Sequence, residues 1–447
     1  MFRRWYRQAG TPRVTVKLDH DAVARRCTVT LTQDCQPVGV ERKAGADYVK
    51  APYHIPFAIG LLDRDGRALP LRQDGAVTET ALLELTTHSQ QWVFDDIADR
   101  PVPSLLRDFS APVIVGYDWT DEELALLSAH DSNPFARWEA GQELATRQIL
   151  ALAQARQAGR TLHADAAFIE AWRALLTDPA LDAAYRARAL ALPSEKTLAE
   201  RMQQVDPPAL AVARDFLRAE LGRQLEAEFR HAFDDNQTPG EYSPAPVPAG
   251  RRALKNLALS HLMAAGEQEA QRLAERQYGQ AGNMTDSMAA LSALINYGQG
   301  EFPQEALAAF YDKWRDNPLV VDKWFALQAT ARSTTVQTAR KLMTHPAFTL
   351  RNPNRARALI FQFCLNNARG MHHPDGSGYA FWAEQVLALD ALNPEIAARL
   401  ARALDNWSRF VPGLRTPMQA ALQQVHQHEG LSRNVQEIVS KALEFAA

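Results

Sequence analysis

Val113-Ile114-Val115-Gly116-Tyr117-Asp118-Trp119-Thr120-Asp121-Glu122-Glu123 is where the sequence changes its period. On its N-terminal side apolar residues alternate with polar ones, as they do along a strand with one buried face. On its C-terminal side Thr120 reads as a helix N-cap followed by an acidic first turn, and the apolar spacing becomes three and four. Working outward towards the N-terminus, alternating sets occur at Val14, Val16 and Leu18, at Cys27, Val29 and Leu31, and at Ile55, Phe57, Ile59 and Leu61. Asp63-Arg64-Asp65-Gly66 follows as a hairpin turn, since glycine tolerates positive φ. Further short β-type runs lie at Leu82-Leu83 and Trp92-Val93-Phe94. About six or seven short strands in this length have the rhythm of an antiparallel sandwich. Pro52 and Pro56 predict edge or bulge positions near the third strand.

Working towards the C-terminus, the apolar stripes are helical. Leu210, Ala213, Leu217, Leu221, Leu225 and Phe229 form one stripe; Met284, Met288, Leu291 and Ile295 form another. Ala356, Ile360 and Phe363, then Trp382, Val386 and Leu389, then Ile396, Leu400 and Leu404 repeat the pattern. Asp178-Pro179, Asp206-Pro207, Asn317-Pro318, His345-Pro346, Asn352-Pro353 and Asn393-Pro394 separate the stripes and mark helix boundaries. Many helices with short connections predict an irregular α-solenoid of superhelical helix pairs, without a strict sequence repeat. Residues 236–250, with four prolines, read as an extended surface loop. The fold class is therefore multidomain: an all-β sandwich over residues 1–118 and an all-α solenoid over residues 119–447.

At 447 residues with 46% hydrophobic and 23% charged side chains, the chain is too long for one ordinary core and has globular composition. A net charge of −3 without a basic stripe argues against a nucleic-acid partner. No apolar run long enough to span a bilayer occurs, so no membrane partner is expected. Three cysteines without a Cys-x-x-Cys pair, and no signal-type N-terminus, point to the cytoplasm.

The chain holds no His-Glu-x-x-His, no Gly-x-Ser-x-Gly and no phosphate loop, so neither a catalytic set nor a metal or cofactor site is expected in it. His426, His428 and Glu429 lack the helical spacing of metal ligands and read as a solvated face. Asp375-Gly376-Ser377-Gly378-Tyr379 reads as a loop into a helix start; its alternative reading is a set of backbone N–H groups facing an anionic or peptide ligand. Arg355 and Arg357 open one helix and Arg399 lies two helices on. As residues they fit surface ion pairs, or a bidentate clamp on a carboxylate.

Several strings resemble a known family. They include Trp5-Tyr6, Gln8 and Gly10-Thr11-Pro12, then His54-Ile55-Pro56-Phe57-Ala58-Ile59, and the run from Pro101 to Val113. Gly282-Asn283-Met284-Thr285-Asp286, Tyr311-Asp312-Lys313-Trp314, Val321-Asp322-Lys323-Trp324-Phe325, Asn352-Pro353-Asn354-Arg355 and Asp375–Tyr379 follow in the same order. Together they resemble the C-terminal part of the bacterial aminopeptidase N family, gluzincin zinc metallopeptidases that remove N-terminal residues from peptides. The resemblance implies that the sandwich is immunoglobulin-like, that the first ten or so residues are the tail of a catalytic domain, and that zinc and the catalytic groups belong to domains preceding this region. It implies that the solenoid encloses a peptide chamber lined by Arg357, Arg399, Asp375, Gly376 and Tyr379, that the partners are peptide substrate and the protein's own N-terminal and catalytic domains, and that this chain is inactive alone. The alternative is an independent helical-repeat adaptor that binds a protein partner.

Overall fold

The computed structural model describes residues 2–38, 41, 49–73 and 75–444. Nine strands occur among them: β1 Arg13–Asp21, β2 Arg26–Asp34, β3 Ile55–Leu62, β4 Leu71–Gln73, β5 Ala76–Thr78, β6 Ala81–Leu85, β7 Ser89–Asp95, β8 Val102–Leu105 and β9 Ile114–Gly116. One sheet has the order β7-β2-β1-β9, a second β6-β3-β8, and β4 and β5 form a small ribbon. Alternation decides the packing. Val14, Val16, Cys27, Val29 and Leu31 from the first sheet share a core with Ile55, Phe57, Ile59, Leu83 and Leu85 from the second. β9 runs parallel to β1, with Arg13 opposite Ile114, so the last strand lies beside the first.

The structure has more strands than the six or seven expected. β4 and β5 are only three residues long, and β8 is buried along its whole length, so it carries no alternation to read. Pro56 is at an edge locally, although its strand is not an edge strand. Pro56 sits in β3, the middle strand of its sheet, opposite Glu84 of β6. β8 pairs only with Ile59–Leu62, so β3 has one neighbour at Pro56. Two residues on, the Ala58 N–H donates to Ser110 Oγ at 2.9 Å instead of to a strand. A missing donor at Pro56 therefore costs no ladder bond. The turn at Asp63–Gly66 forms, with Gly66 N–H donating to Asp63 O at 3.1 Å and Gly66 at φ +82°.

The period change at Thr120 is a full capping box. Glu123 N–H donates to Thr120 Oγ1 at 3.1 Å and Thr120 N–H donates to Glu123 Oε2 at 3.0 Å, opening helix Asp121–His130. One compact unit comprises residues 1–147, 165–181 and 188–190; the other comprises 148–164, 182–187 and 191–447. The unit that holds the sandwich thus also holds helices Asp121–His130 and Ala166–Thr177.

In the second unit, helices pack mainly on neighbours in sequence, as in a solenoid. Asp206, Asn317, Asn352 and Asn393 each cap a helix whose first residue is proline. The side-chain oxygen satisfies an orphan N–H, and proline at the first position lacks only a donor with no helical partner. The stripe from Leu210 to Phe229 is fully buried, but at Leu225 the backbone leaves the helix at φ −118°, ψ 28°. One periodic stripe therefore covers two helices, Pro207–Gln224 and Glu226–Asp235. The expected loop over residues 236–250 is shorter, because Pro246 opens helix Pro246–Ala265 and Pro248 and Gly250 lie inside it. Proline is tolerated in that first turn. Sequence-distant segments also meet within this unit: Val205 N–H donates to Arg409 O at 2.8 Å and Val411 N–H to Val205 O at 3.0 Å. Among the described residues no helix is long and apolar enough to cross a membrane.

Candidate functional site

The residues singled out in the sequence lie on three separate elements. Arg357 begins a π-helical turn, Arg357–Phe361, set between helices Pro353–Ala356 and Gln362–Asn366. Its side chain is exposed, and Nη1 donates to Asn354 Oδ1 at 3.3 Å. The neighbouring Arg355 is instead buried, pairs with Asp322 at 3.3 Å and lies over the Phe325 ring. π turns are rare and frequent at functional positions. Arg399 is exposed on the last turn of helix Pro394–Ala401.

Asp375, Gly376 and Tyr379 stand together at the start of helix Ser377–Asp390. Gly376 takes the left-handed conformation, φ +74°, which glycine adopts without a Cβ clash. Asp375 Oδ1 accepts from Ser377 N–H at 2.9 Å and pairs with His373 at 3.0 Å. Hydrogen bonds from Ser377, then His373, hold the Asp375 carboxyl down at about 2. Tyr379 is buried, and its hydroxyl shares a 2.9 Å hydrogen bond with His372 Nδ1. Burial pushes the Tyr379 hydroxyl up and holds His372 down at about 4. The N–H groups of Ser377, Tyr379 and Ala380 are thus all answered within the chain.

A second constellation was not singled out in the sequence. A cavity of about 420 Å³ in the helical unit is lined by Arg214, Arg218, Arg332 and Arg369, with carboxylates Asp215 and Glu195. Arg214, Asp215 and Arg218 come from one face of helix Pro207–Gln224, where residues four apart are neighbours. Arg332 follows helix Pro318–Ala329, and Arg369 lies on the turn Ala368–Met371. Asn367 joins these last two segments. Its buried side chain donates from Nδ2 to Ala329 O at 2.9 Å and Ala331 O at 3.1 Å, and Oδ1 accepts from Gly370 N–H at 2.8 Å. Asp215 then gathers the arginines: Oδ2 is 3.0 Å from Arg332 Nε and bonds Arg369 Nη2, while Oδ1 is 3.9 Å from Arg218 Nη1. Arg218 Nη1 also donates to the Tyr297 hydroxyl at 3.0 Å, and Arg332 lies over the Tyr297 ring. Only Arg214-Asp215 and Arg218 show a spacing signal in the sequence; Arg332 and Arg369 are brought in by tertiary packing.

His261 is buried on the adjoining helix Pro246–Ala265, stacked on Phe229. Burial, then the charges of Arg218 and Arg214, hold its pKa down at about 3. His261 is therefore neutral in the folded chain well below pH 6.5, whereas the unfolded chain protonates it near 6.5. The unfolded state binds the extra proton, so this contribution to stability is fully present above pH 6.5 and is lost progressively as pH falls towards 3. His261→Leu is expected to reduce the loss of stability between pH 6.5 and 4.5 by about 1–2 kcal/mol. Urea denaturation at the two pH values measures this; an unchanged difference would refute it. His372 keeps a dependence of the same sign.

Comparison with known proteins decides the family. Residues 121–444 match the domain of unknown function DUF3458_C, described as ARM repeats, and residues 10–118 match DUF3458, described as an Ig-like fold. The chain belongs to the DUF3458 family. It is similar to aminopeptidase N of Escherichia coli K12, with 38% identity over 99% of this chain and 50% of that protein. Aminopeptidase N of Caulobacter vibrioides is 41% identical over 99% of this chain and 49% of the relative. Aminopeptidase N of Haemophilus influenzae is 33% identical over 99% and 50%. Among solved structures, Legionella pneumophila aminopeptidase A, crystallised in complex with aspartic acid, matches with a TM-score of 0.81 and 27% identity. That match covers 98% of this chain and 49% of the other. The DUF3458 chain therefore corresponds to the C-terminal part of aminopeptidase N and spans about half the length of the relatives it matches. Among its described residues no group of three His, Cys, Asp or Glu side chains stands close enough to hold a metal ion.

Proposed function

We propose that this chain is the non-catalytic, substrate-enclosing region of a zinc aminopeptidase that removes N-terminal residues from peptides. The observation that carries the reading is the match of 99% of the chain to only half of each aminopeptidase N. In this reading, zinc and the catalytic groups belong to the other half, the immunoglobulin-like domain covers residues 1–118, and the helical domain covers 119–447. The working partners are the protein's own N-terminal and catalytic domains and a peptide. Three free buried cysteines suit the reducing cytoplasm.

Arg357 and Arg399 are the chamber residues of the proposal, with the Asp375–Gly376 turn as part of the wall and buried Tyr379 as its support. Both arginines are exposed, so each keeps a guanidinium for a peptide carboxylate. Their contribution is to position substrate; no bond is made or broken at them.

The purified chain is expected to hydrolyse no aminoacyl anilide, and turnover by it would overturn the reading. In the enzyme carrying both halves, Arg357→Ala and Arg399→Ala are expected to raise KM about 3–10-fold for short peptides, with kcat and bound zinc unchanged. Identical kinetics across a peptide-length series would remove the two arginines from the chamber. An independent adaptor instead requires that no His-Glu-x-x-His be encoded in frame upstream.

A further inference from the structure

The arginine-lined cavity has more positive charge than the protein supplies partners for. Four guanidinium groups face two carboxylates, in a chain whose overall charge is −3. One carboxylate, Asp215, already serves three of the arginines. The other, Glu195, bonds none of them among the described residues; burial raises its carboxyl pKa, against the lowering charge of Arg214. Arg214 spends Nε on Pro193 O at 2.8 Å and Nη2 on Leu192 O at 3.4 Å, both neutral acceptors. Burial, then the charge of Arg218, lowers its pKa, so its cation is held at a cost in this environment.

Donors remain as well as charge. Arg214 Nη1, Arg218 Nε and Nη2, both Nη atoms of Arg332, and Arg369 Nε and Nη1 have no acceptor among the described residues. Ser260, Ser292, Asn256 and Thr330 add neutral hydrogen-bonding groups to the same lining. A set of forked donors around one half-enclosed space is what oxyanion recognition requires. Stapling the helices together would need only as much positive charge as Asp215 and Glu195 neutralise.

We propose that this cavity binds a small oxyanion carrying two or more negative charges, of the phosphate or di- and tricarboxylate class. The excess of two positive charges sets the valence, and a volume of about 420 Å³ admits an ion of phosphate to citrate size. The site uses none of the residues assigned to the peptide chamber, so it stands apart from the proposed peptidase role.

Calorimetry on the 447-residue chain tests it, with inorganic phosphate and citrate as probes and sodium chloride as the control, at a fixed ionic strength of about 0.15 M. One saturable site for phosphate, citrate or both is expected, and which probe binds distinguishes the two sources. Arg218→Ala and Arg214→Gln are each expected to weaken binding about tenfold or more; Arg214→Gln keeps a polar side chain should Arg218→Ala fail to fold. Arg276→Ala, in a different cavity, is expected to leave affinity within about twofold. The proposal falls if neither probe saturates, if chloride gives the same response, if both folded variants bind as the parent does, or if Arg276→Ala weakens binding as much as they do.

Discussion

Asp131→Ala is expected to destabilise the unit that contains the sandwich by about 3–5 kcal/mol, the usual consequence of stranding one partner of a buried ion pair. Arg107 is 1% exposed, and each of its three guanidinium nitrogens donates within the chain. Nε donates to Ser104 Oγ at 2.8 Å, Nη1 to Glu79 O and Thr80 Oγ1 at 2.9 Å each, and Nη2 to Asp131 Oδ1 at 2.9 Å. Asp131 is the only charged group in this set, and its Oδ1 also accepts from Asn133 N–H at 2.9 Å. Removing it leaves a cation without a counter-charge and an amide without an acceptor. Asn133 in turn holds Asp108, whose backbone is left-handed at φ 57°, through a 2.8 Å bond from Nδ2 to Oδ1. The sequence has also made room for this pair. A Cβ on Gly60 would stand 2.1 Å from Arg107 Cζ, so β3 carries glycine where the guanidinium crosses it. Urea denaturation followed by tryptophan fluorescence gives the cost. The double variant Arg107→Leu, Asp131→Leu should lose less than the two single variants combined, since it strands no charge. A loss below about 1 kcal/mol for Asp131→Ala would show that Arg107 is neutralised elsewhere.

The same contrast explains which parts of the molecule the sequence revealed. Strands with one solvated face and helices with one buried stripe leave periods, and Val14–Leu18 and Trp382–Leu389 were readable for that reason. The Asx-Pro caps were readable because the chemistry of a cap is local. β8 was not, because burial along its whole length erases alternation. The break at Leu225 was not, because the buried stripe continues through it while the backbone leaves the helix. The exposed placement of Arg357 and Arg399 fits either surface or ligand roles, and only the family resemblance distinguished them as residues. Arg214, Arg218, Arg332 and Arg369 left no joint trace. Their meeting depends on Asp215 and on the two turns tied by Asn367, over sequence separations too long for any local pattern.

Asn367→Asp, a change of one side-chain atom, is expected to cost about 3 kcal/mol or more at pH 7. Asn367 is 4% exposed, and its Nδ2 is the donor to three backbone carbonyls, those of Ala329, Ala331 and Thr334, the last at 3.4 Å. Aspartate preserves the shape and the Oδ1 acceptor for Gly370 N–H but turns the donor into a second anionic oxygen facing those carbonyls. Space offers no escape, because even a Cβ on Gly370 would stand 2.7 Å from Thr334 O. The sign of the pH dependence follows. Burial and the three facing carbonyls raise the folded-state pKa of the new carboxyl above its unfolded value of about 3.9, and they act against the lowering charges of Arg332 and Arg369, which line the same cavity as Asn367. The protonated acid can donate one hydrogen bond, so its stabilising form is fully populated below about pH 3.9 and is lost as pH rises through the folded pKa. The gap in stability between wild type and variant should therefore be widest at neutral pH and narrow towards pH 4. Asn367→Leu, which cannot ionise, should show a gap that does not change with pH. A constant gap for Asn367→Asp would mean that the turn opens to water and solvates the charge. In that case the turns carrying Arg332 and Arg369 would not be held by Asn367, and the arginine cluster would depend on Asp215 alone.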